Sequence, residues 1–142
     1  MEMELVKPFE IALSQYGICE WPGESHNPEV VKYFRECNFK VQDDETSWCS
    51  VFVCWCMKQA NIPHTNSLSA RSWANWGVKI YEPQLGDIAV FNRPPISWQG
   101  HVGFYVRNDG NRVWVLGGNQ NNSVNISSYS GSHLIGYRRW QP

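Results

Sequence analysis

The hydrophobic pattern of this chain changes period along its length, and this change constrains the fold most. In the first half, apolar residues recur three or four positions apart, as in Leu5, Phe9 and Ala12. In the second half, short segments rich in β-branched and aromatic residues alternate with Gly, Asn, Asp and Pro. We therefore predict a single α+β domain over residues 1–142, with N-terminal helices packed on a C-terminal antiparallel β-sheet.

Local signals place the individual elements. The first helix ends at Gly17, the second begins at Asn27-Pro28, the third begins near Trp48–Cys49, and a short fourth covers Ser69–Trp76. Strands are predicted over residues 86–91, 101–108, 112–118, 124–129 and 134–140, with Asp109-Gly110 as a hairpin turn.

Charge and hydropathy exclude several classes of partner. The 12 Lys and Arg residues are balanced by 13 Asp and Glu, which leaves a net charge of −1 and no case for nucleic-acid binding. No segment approaches the roughly 20 apolar residues of a membrane span, so we expect no membrane insertion. Glutamates at Glu2, Glu4 and Glu10 interrupt any signal peptide. We expect a monomer that is synthesised in the cytoplasm.

The five cysteines are concentrated in DETSWCSVFVCWC, residues 44–56, which holds three of them. An odd count without a secretory signal indicates reduced thiols. Cys54 and Cys56 would diverge by about 200° on one helix, which is poor geometry for a shared metal. We therefore predict no metal and no cofactor, and assign both residues to packing.

Cys49 differs from the other cysteines because it lies at the predicted start of a helix. Free N–H groups and the helix dipole at that position favour a thiolate, the form that acts as a nucleophile. A nucleophilic thiol also needs a base. His101 is the candidate, since it begins an alternating strand whose other face, with Val102 and Phe104, is apolar.

The strand pattern leaves two alternatives for the residue that would orient the imidazole. A two-residue Asp109-Gly110 loop places Gln120 on the face of His101, whereas one extra loop residue places Asn119 there. Either amide would hold one tautomer of the imidazole. The alternative is a glycine-rich turn with solvated amides.

Four motifs in order, DETSWCSVFV, GDIAVF, GHVGFY and VLGGNQ, resemble the CHAP and NlpC-type superfamily of papain-like cysteine hydrolases. More narrowly, they resemble small CHAP-like proteins of phages and bacteria. The resemblance extends to YGICEWPG, NPEVVKYF, ARSWANWG and LIGYRRW, and so covers nearly the whole chain.

This resemblance implies a papain-like fold and hydrolysis of an amide bond in peptidoglycan, within the stem peptide or at the sugar–peptide junction. At the positions that match the family's motifs, the resemblance implies Cys49 as the nucleophile, His101 as the base and Asn119 as the orienting residue. Many CHAP domains have an acidic residue near this third position, and here none is present. Some CHAP lysins bind calcium in an acidic loop before the cysteine. We predict no such site here, because Asp43, Asp44 and Glu45 lie too close to Cys49 to match that spacing.

The chain has eight tryptophans, a high number for 142 residues. Three of them, Trp48, Trp73 and Trp98, are candidate substrate contacts, together with Gln120. For each tryptophan, packing in the core is the competing interpretation. The loop NRPPISWQG (92–100) is predicted to form one wall of the cleft, because it leads directly into His101.

Two other classes of function compete with the hydrolase. One is a non-catalytic, tryptophan-rich module that binds glycans or peptides, and the other is a metal or redox protein built on Cys54 and Cys56. Within the enzyme class, the chain would be a phage endolysin or a secreted effector that acts on the cell wall after release or export. An inhibitor protein is a candidate partner for an effector.

Overall fold

A computed structural model describes residues 2–21, 26–39, 48–95 and 99–142 of the chain. Within these ranges three α-helices precede six β-strands, so the predicted α+β class is confirmed. The helices are α1 (Glu2–Ser14), α2 (Pro28–Glu36) and α3 (Cys49–Gln59), followed by a 3₁₀ helix at Ala70–Asn75. The strands are β1 (Val78–Ile80), β2 (Ile88–Asn92), β3 (Gly100–Asp109), β4 (Arg112–Gln120), β5 (Ser123–Ser130) and β6 (Leu134–Arg139).

Helices α2 and α3 begin where the sequence predicts, but they are capped differently. The Asn27 side chain accepts a 2.9 Å hydrogen bond from the Glu29 N–H, and Pro28 opens α2. At α3, Trp48 provides no side-chain cap. The N–H groups of the first turn of α3 are therefore available to other acceptors.

The strands form a single antiparallel sheet in the order β1-β6-β2-β3-β4-β5. The prediction missed β1, an edge strand of three residues that pairs with β6. Such a segment is too short to show an alternating pattern. Strand β3, which carries His101, lies inside the sheet between β2 and β4.

Helix α3 forms the centre of the main core. Burial extends without interruption from Cys49 to Met57, because two helices, α1 and α2, and two strands, β3 and β4, pack against this helix. The helical spacing of Phe52, Val53, Cys56 and Ala60 predicts a buried stripe. The first three are fully buried and Ala60 is partly exposed, and as far as Met57 the helix is buried all round. The beginning of α3 is therefore held rigidly against the sheet.

The register of the β3–β4 hairpin determines what lies near His101. Asp109 pairs with Arg112, so residues 110–111 form the turn, one position later than predicted. Nearer the start of β3, Phe104 pairs with Leu116 after a bulge has added one residue. This second pairing matches the predicted alternative with one extra residue.

Candidate active site

Cys49 lies at the first position of α3 and is only 3% exposed. The backbone N–H groups of Ser50 and Val102 lower the pKa of its thiol by stabilising the thiolate. The helix contributes one donor and strand β3 the other. The nucleophile candidate is thus held where the positive end of the helix meets the sheet.

The pKa of the Cys49 thiol reflects two opposing effects. Burial raises this pKa, since it disfavours the charged sulfur. The charge of His101 and its hydrogen bond to the sulfur act against burial, as do the two backbone N–H groups. Together they bring the pKa of Cys49 below the usual thiol value. This direction agrees with the prediction from the helix start, but the charge of His101 lowers the pKa most.

The other buried thiols show the opposite shift. Burial raises the pKa of Cys37 to about 12 and also raises the pKa values of Cys54 and Cys56. Cys54 and Cys56 are fully buried in α3, as expected for packing residues. In the described part of the chain, no three His, Cys, Asp or Glu side chains are placed to hold a metal ion.

His101 is 4% exposed and lies opposite Phe91 of β2. Its Nε2 atom lies 2.8 Å from Oε1 of Gln120. The ring also acts on the Cys49 sulfur, whose pKa it lowers. With Nε2 turned to Gln120, Nδ1 is the ring nitrogen left for the sulfur. A neutral imidazole that donates from Nε2 has a free lone pair on Nδ1, the state that a general base needs.

The orientation of the Gln120 amide is set by its other contacts. Its Nε2 atom donates to the carbonyl oxygen of Asn125 at 2.7 Å and to that of Val115 at 3.3 Å. Carbonyl oxygens accept only, so the amide nitrogen faces them and Oε1 faces His101. Gln120 is 2% exposed, which does not suit the substrate contact predicted for it.

A break in strand alternation brings Gln120, rather than Asn119, onto His101. Asn119 adopts a left-handed backbone conformation with φ of 58°, and the β4–β5 pairing shifts register between Gly117 and Gln120. Asparagine tolerates this conformation better than most residues. Counting along regular strands left Asn119 and Gln120 both open, and the family resemblance assigned the orienting role to Asn119. The bulge places Gln120 there instead.

Two glycines at the bulge, Gly117 and Gly118, make room for the site. A Cβ atom on Gly117 would lie 2.7 Å from Oε1 of Gln120. A Cβ atom on Gly118 would lie 2.6 Å from the Trp48 ring and 2.8 Å from the Phe52 Cβ. Gly117 thus accommodates the orienting amide, and Gly118 allows helix α3 to approach β4 closely.

Tyr129 of β5 is a neighbour of the imidazole that sequence reasoning missed. Its ring centroid lies 4.7 Å from that of His101, with 30° between the planes, and 5.1 Å from that of Phe91. Burial raises the pKa of the Tyr129 hydroxyl, and the charge of Cys49 raises it further, whereas that of Arg93 lowers it. No local signal marks Tyr129, because only the sheet pairing brings β5 to the site.

A cleft of about 380 Å³ opens beside Cys49. The described residues that line it, besides Cys49, are Leu68, Ser69, Ala70, Arg93, Gln99 and Gly100. Both ends of the 92–100 loop thus contribute to this wall, as predicted. Arg71 joins these ends by donating to Asn92 Oδ1 at 2.6 Å and to the Gln99 carbonyl at 3.3 Å.

The predicted aromatic substrate contacts need correction. Trp48 and Trp73 are both fully buried, so neither presents a surface to a ligand. Trp48 stacks on Tyr33 and donates to Glu20 at 2.6 Å, while Trp73 donates to Ser50 Oγ at 2.9 Å. A tryptophan ring buries more apolar area in the core than at a cleft wall. The free energy gained by that burial favours the core position. Trp98 lies outside the described residues.

Comparison with known families identifies the class of domain. The model of the CHAP domain matches residues 41–119, which is more than half of the chain. The chain belongs to the CHAP domain family. The match includes Cys49 and His101 and ends one residue before Gln120. Membership suggests a function related to peptidoglycan, and no curated protein matches the sequence.

Solved structures confirm the papain-like fold of this CHAP domain. A Staphylococcus aureus Mu50 protein, similar to lipoprotein and of the NLP/P60 family, matches with a TM-score of 0.59 and 19% identity. That match covers all of this chain but only 43% of the staphylococcal chain. Mycobacterium tuberculosis RipD, a non-catalytic NlpC/p60 domain protein adapted to peptidoglycan binding, matches with a TM-score of 0.57 and 15% identity over 94% of both chains.

The described helices were also tested for membrane spans. Every helix within the described ranges is too short or too polar to cross a bilayer.

Proposed function

We propose that this CHAP domain hydrolyses an amide bond of bacterial peptidoglycan through a cysteine thiolate. The observation that carries the proposal is the relay of contacts from Cys49 through His101 to Gln120. A nucleophile, a base and a group that orients the base are the three parts that thiol catalysis needs. Here they meet beside an open cleft.

In the proposed mechanism, His101 takes the proton of Cys49 at Nδ1, and the thiolate attacks the amide carbonyl carbon. The backbone N–H of Cys49 stabilises the oxyanion that forms. The imidazolium then returns its proton to the leaving amine as the C–N bond breaks. Water, activated by His101, hydrolyses the thioester and restores the thiol.

We assign the positioning role to Gln120. Its Oε1 accepts from His101 Nε2, and its own nitrogen is held by the Asn125 and Val115 carbonyl groups. A neutral amide can keep the imidazole in one tautomer without a carboxylate. Asn119 instead contributes the left-handed backbone that turns Gln120 inward.

A second function is a peptidoglycan-binding module without catalysis. RipD shares this fold and is non-catalytic, so the fold alone does not favour hydrolysis. The lowered pKa of Cys49 favours it, because a buried thiol with no task would have its pKa raised, as at Cys56.

We further propose that the protein reaches the wall by release from a lysed cell or by export, as an endolysin or a secreted effector would. The bond that we propose is cleaved lies within the stem peptide or at the sugar–peptide junction. The products distinguish these two bonds, because cleavage at the junction separates glycan from peptide and cleavage within the stem does not.

The test uses purified sacculi with the wild-type protein, Cys49→Ala and Cys49→Ser. We expect the wild type to release soluble fragments, which mass spectrometry identifies, and both variants to bind sacculi without release. Release by Cys49→Ala would refute the thiol mechanism. Binding by all three proteins without release would support the non-catalytic module.

A further inference from the structure

The cleft beside Cys49 is lined by a positive charge without a balancing negative one among the described residues. Among the described residues that line it, Arg93 alone has a charged side chain, and no carboxylate faces it. Leu68, 48% exposed, and the methyl group of Ala70 form an apolar part of the same wall. The cleft therefore offers one cation and an apolar surface to whatever approaches the sulfur.

Arg93 differs from its neighbour Arg71 in what it contacts. The Arg71 guanidinium is engaged by Asn92 and Gln99 at the base of the loop. Arg93 is exposed, and in the described structure its side chain forms no ion pair or hydrogen bond. Arg71 thus fixes the loop, while Arg93 keeps all its donors for a ligand.

The charge of Arg93 also reaches the reactive groups. It lowers the pKa of Tyr129, whereas burial and the charge of Cys49 raise it. The Tyr129 ring in turn packs against the His101 ring, with 30° between the planes. A ligand group that pairs with Arg93 would therefore lie in the cleft that Cys49 also lines.

We propose that Arg93 forms a carboxylate subsite, so that this CHAP domain prefers peptides with a free carboxylate next to the scissile amide. The guanidinium fork fits a carboxylate with two parallel hydrogen bonds. Leu68 and Ala70 suit a small apolar side chain on the adjoining residue. The inference rests on the proposed function, because it takes the cleft to be where the substrate amide meets Cys49.

Two alkylating reagents test the subsite without any cell-wall substrate. Iodoacetate is anionic and iodoacetamide is neutral, and both react by the same step. The Cys49 thiolate forms an S–C bond to the reagent methylene, and iodide leaves with the electron pair of the C–I bond. The ratio of the two rates reports the charge that the reagent meets, because any change in thiolate reactivity cancels.

Arg93→Gln should lower the iodoacetate-to-iodoacetamide ratio by about two- to fivefold, the size expected for one solvent-exposed charge pair. Arg93→Lys should keep most of the wild-type ratio, and added salt should reduce the difference between variants. Arg107→Gln is the matched control. Arg107 is an exposed arginine on β3, six residues and about 20 Å along the strand from His101.

The outcomes separate the two proposals. A ratio that falls in Arg93→Gln but not in Arg107→Gln supports the subsite. Rapid alkylation of Cys49 by both reagents with an unchanged ratio in Arg93→Gln overturns the subsite and leaves the proposed function standing. Alkylation of wild-type Cys49 no faster than that of the exposed Cys19 overturns the proposed function, and with it the subsite.

Discussion

Gln120 holds His101 through a 2.8 Å hydrogen bond between its Oε1 and the Nε2 of the imidazole. The amide is itself held by the Asn125 carbonyl, 2.7 Å from its nitrogen. The imidazole is therefore anchored on the side away from Cys49, in the tautomer that leaves Nδ1 basic. A neutral amide in this role accounts for a CHAP site with no acidic residue after the histidine strand.

Exchanging the two neighbouring amides tests this assignment. Gln120→Ala should lower the rate of sacculus hydrolysis by roughly 10²- to 10⁴-fold, because the imidazole loses its tautomer and orientation. Asn119→Gly removes the other amide but keeps access to the left-handed backbone, and should lower the rate much less. Both rates are compared at equal folded fraction, measured by thermal unfolding. A large loss of hydrolysis rate in Asn119→Gly with little loss in Gln120→Ala would show that Asn119 orients His101.

The two glycines of the GGNQ motif should respond differently to alanine. Gly117→Ala places a methyl group 2.7 Å from the Gln120 Oε1, so it should reduce activity far more than stability. Gly118→Ala places one 2.6 Å from the Trp48 ring. It should therefore lower the free energy of unfolding by about 1–3 kcal/mol, the usual cost of overpacking.

Denaturant unfolding and turnover on sacculi measure both variants of this pair. If Gly117→Ala keeps wild-type turnover, the close contact between Gly117 and the amide has no part in positioning His101.

Alkylation of the cysteines should be selective and should depend on pH. The pKa of Cys49 is lowered, so its thiolate persists below the pH at which ordinary thiols are protonated. Its rate with iodoacetamide should fall only as the pH drops through that lowered pKa. Cys37, Cys54 and Cys56 have raised pKa values and stay protonated at neutral pH. Peptide mapping after brief labelling at pH 6 to 9 measures this, and equal labelling of Cys49 and Cys54 would contradict it.

The Tyr129 ring should stabilise the protonated imidazole. An aromatic face 4.7 Å from a cationic ring contributes about 0.5–1 kcal/mol or more. Tyr129→Leu should therefore move the pH midpoint of Cys49 alkylation upward by about 0.4 to 0.7 unit or more. Tyr129→Phe keeps the ring and should move it less. If the pH midpoint of Cys49 alkylation is the same in wild type and Tyr129→Leu, the ring only packs against His101 and does not stabilise its charge.

Much of the fold was predictable because its signals are local. Asn27-Pro28 starts α2, and helix α3 begins at Cys49, since caps and hydrophobic periods depend on neighbours a few residues away. The three-residue strand β1 was missed for the same reason, since it is defined by its pairing with β6 and not by its own pattern. The burial of Trp48 and Trp73 likewise depends on how helices and sheet pack together.

The sequence by itself determined that a cysteine would begin a helix and that a histidine would begin a strand of an antiparallel sheet. Only the tertiary structure decided which amide reaches that histidine, and that Tyr129 and Arg93 lie at the same site. Strand alternation predicts side-chain direction only while the register is regular. The left-handed residue Asn119 and the bulges of β3 and β4 change that register, and their combined effect appears only when the strands are paired.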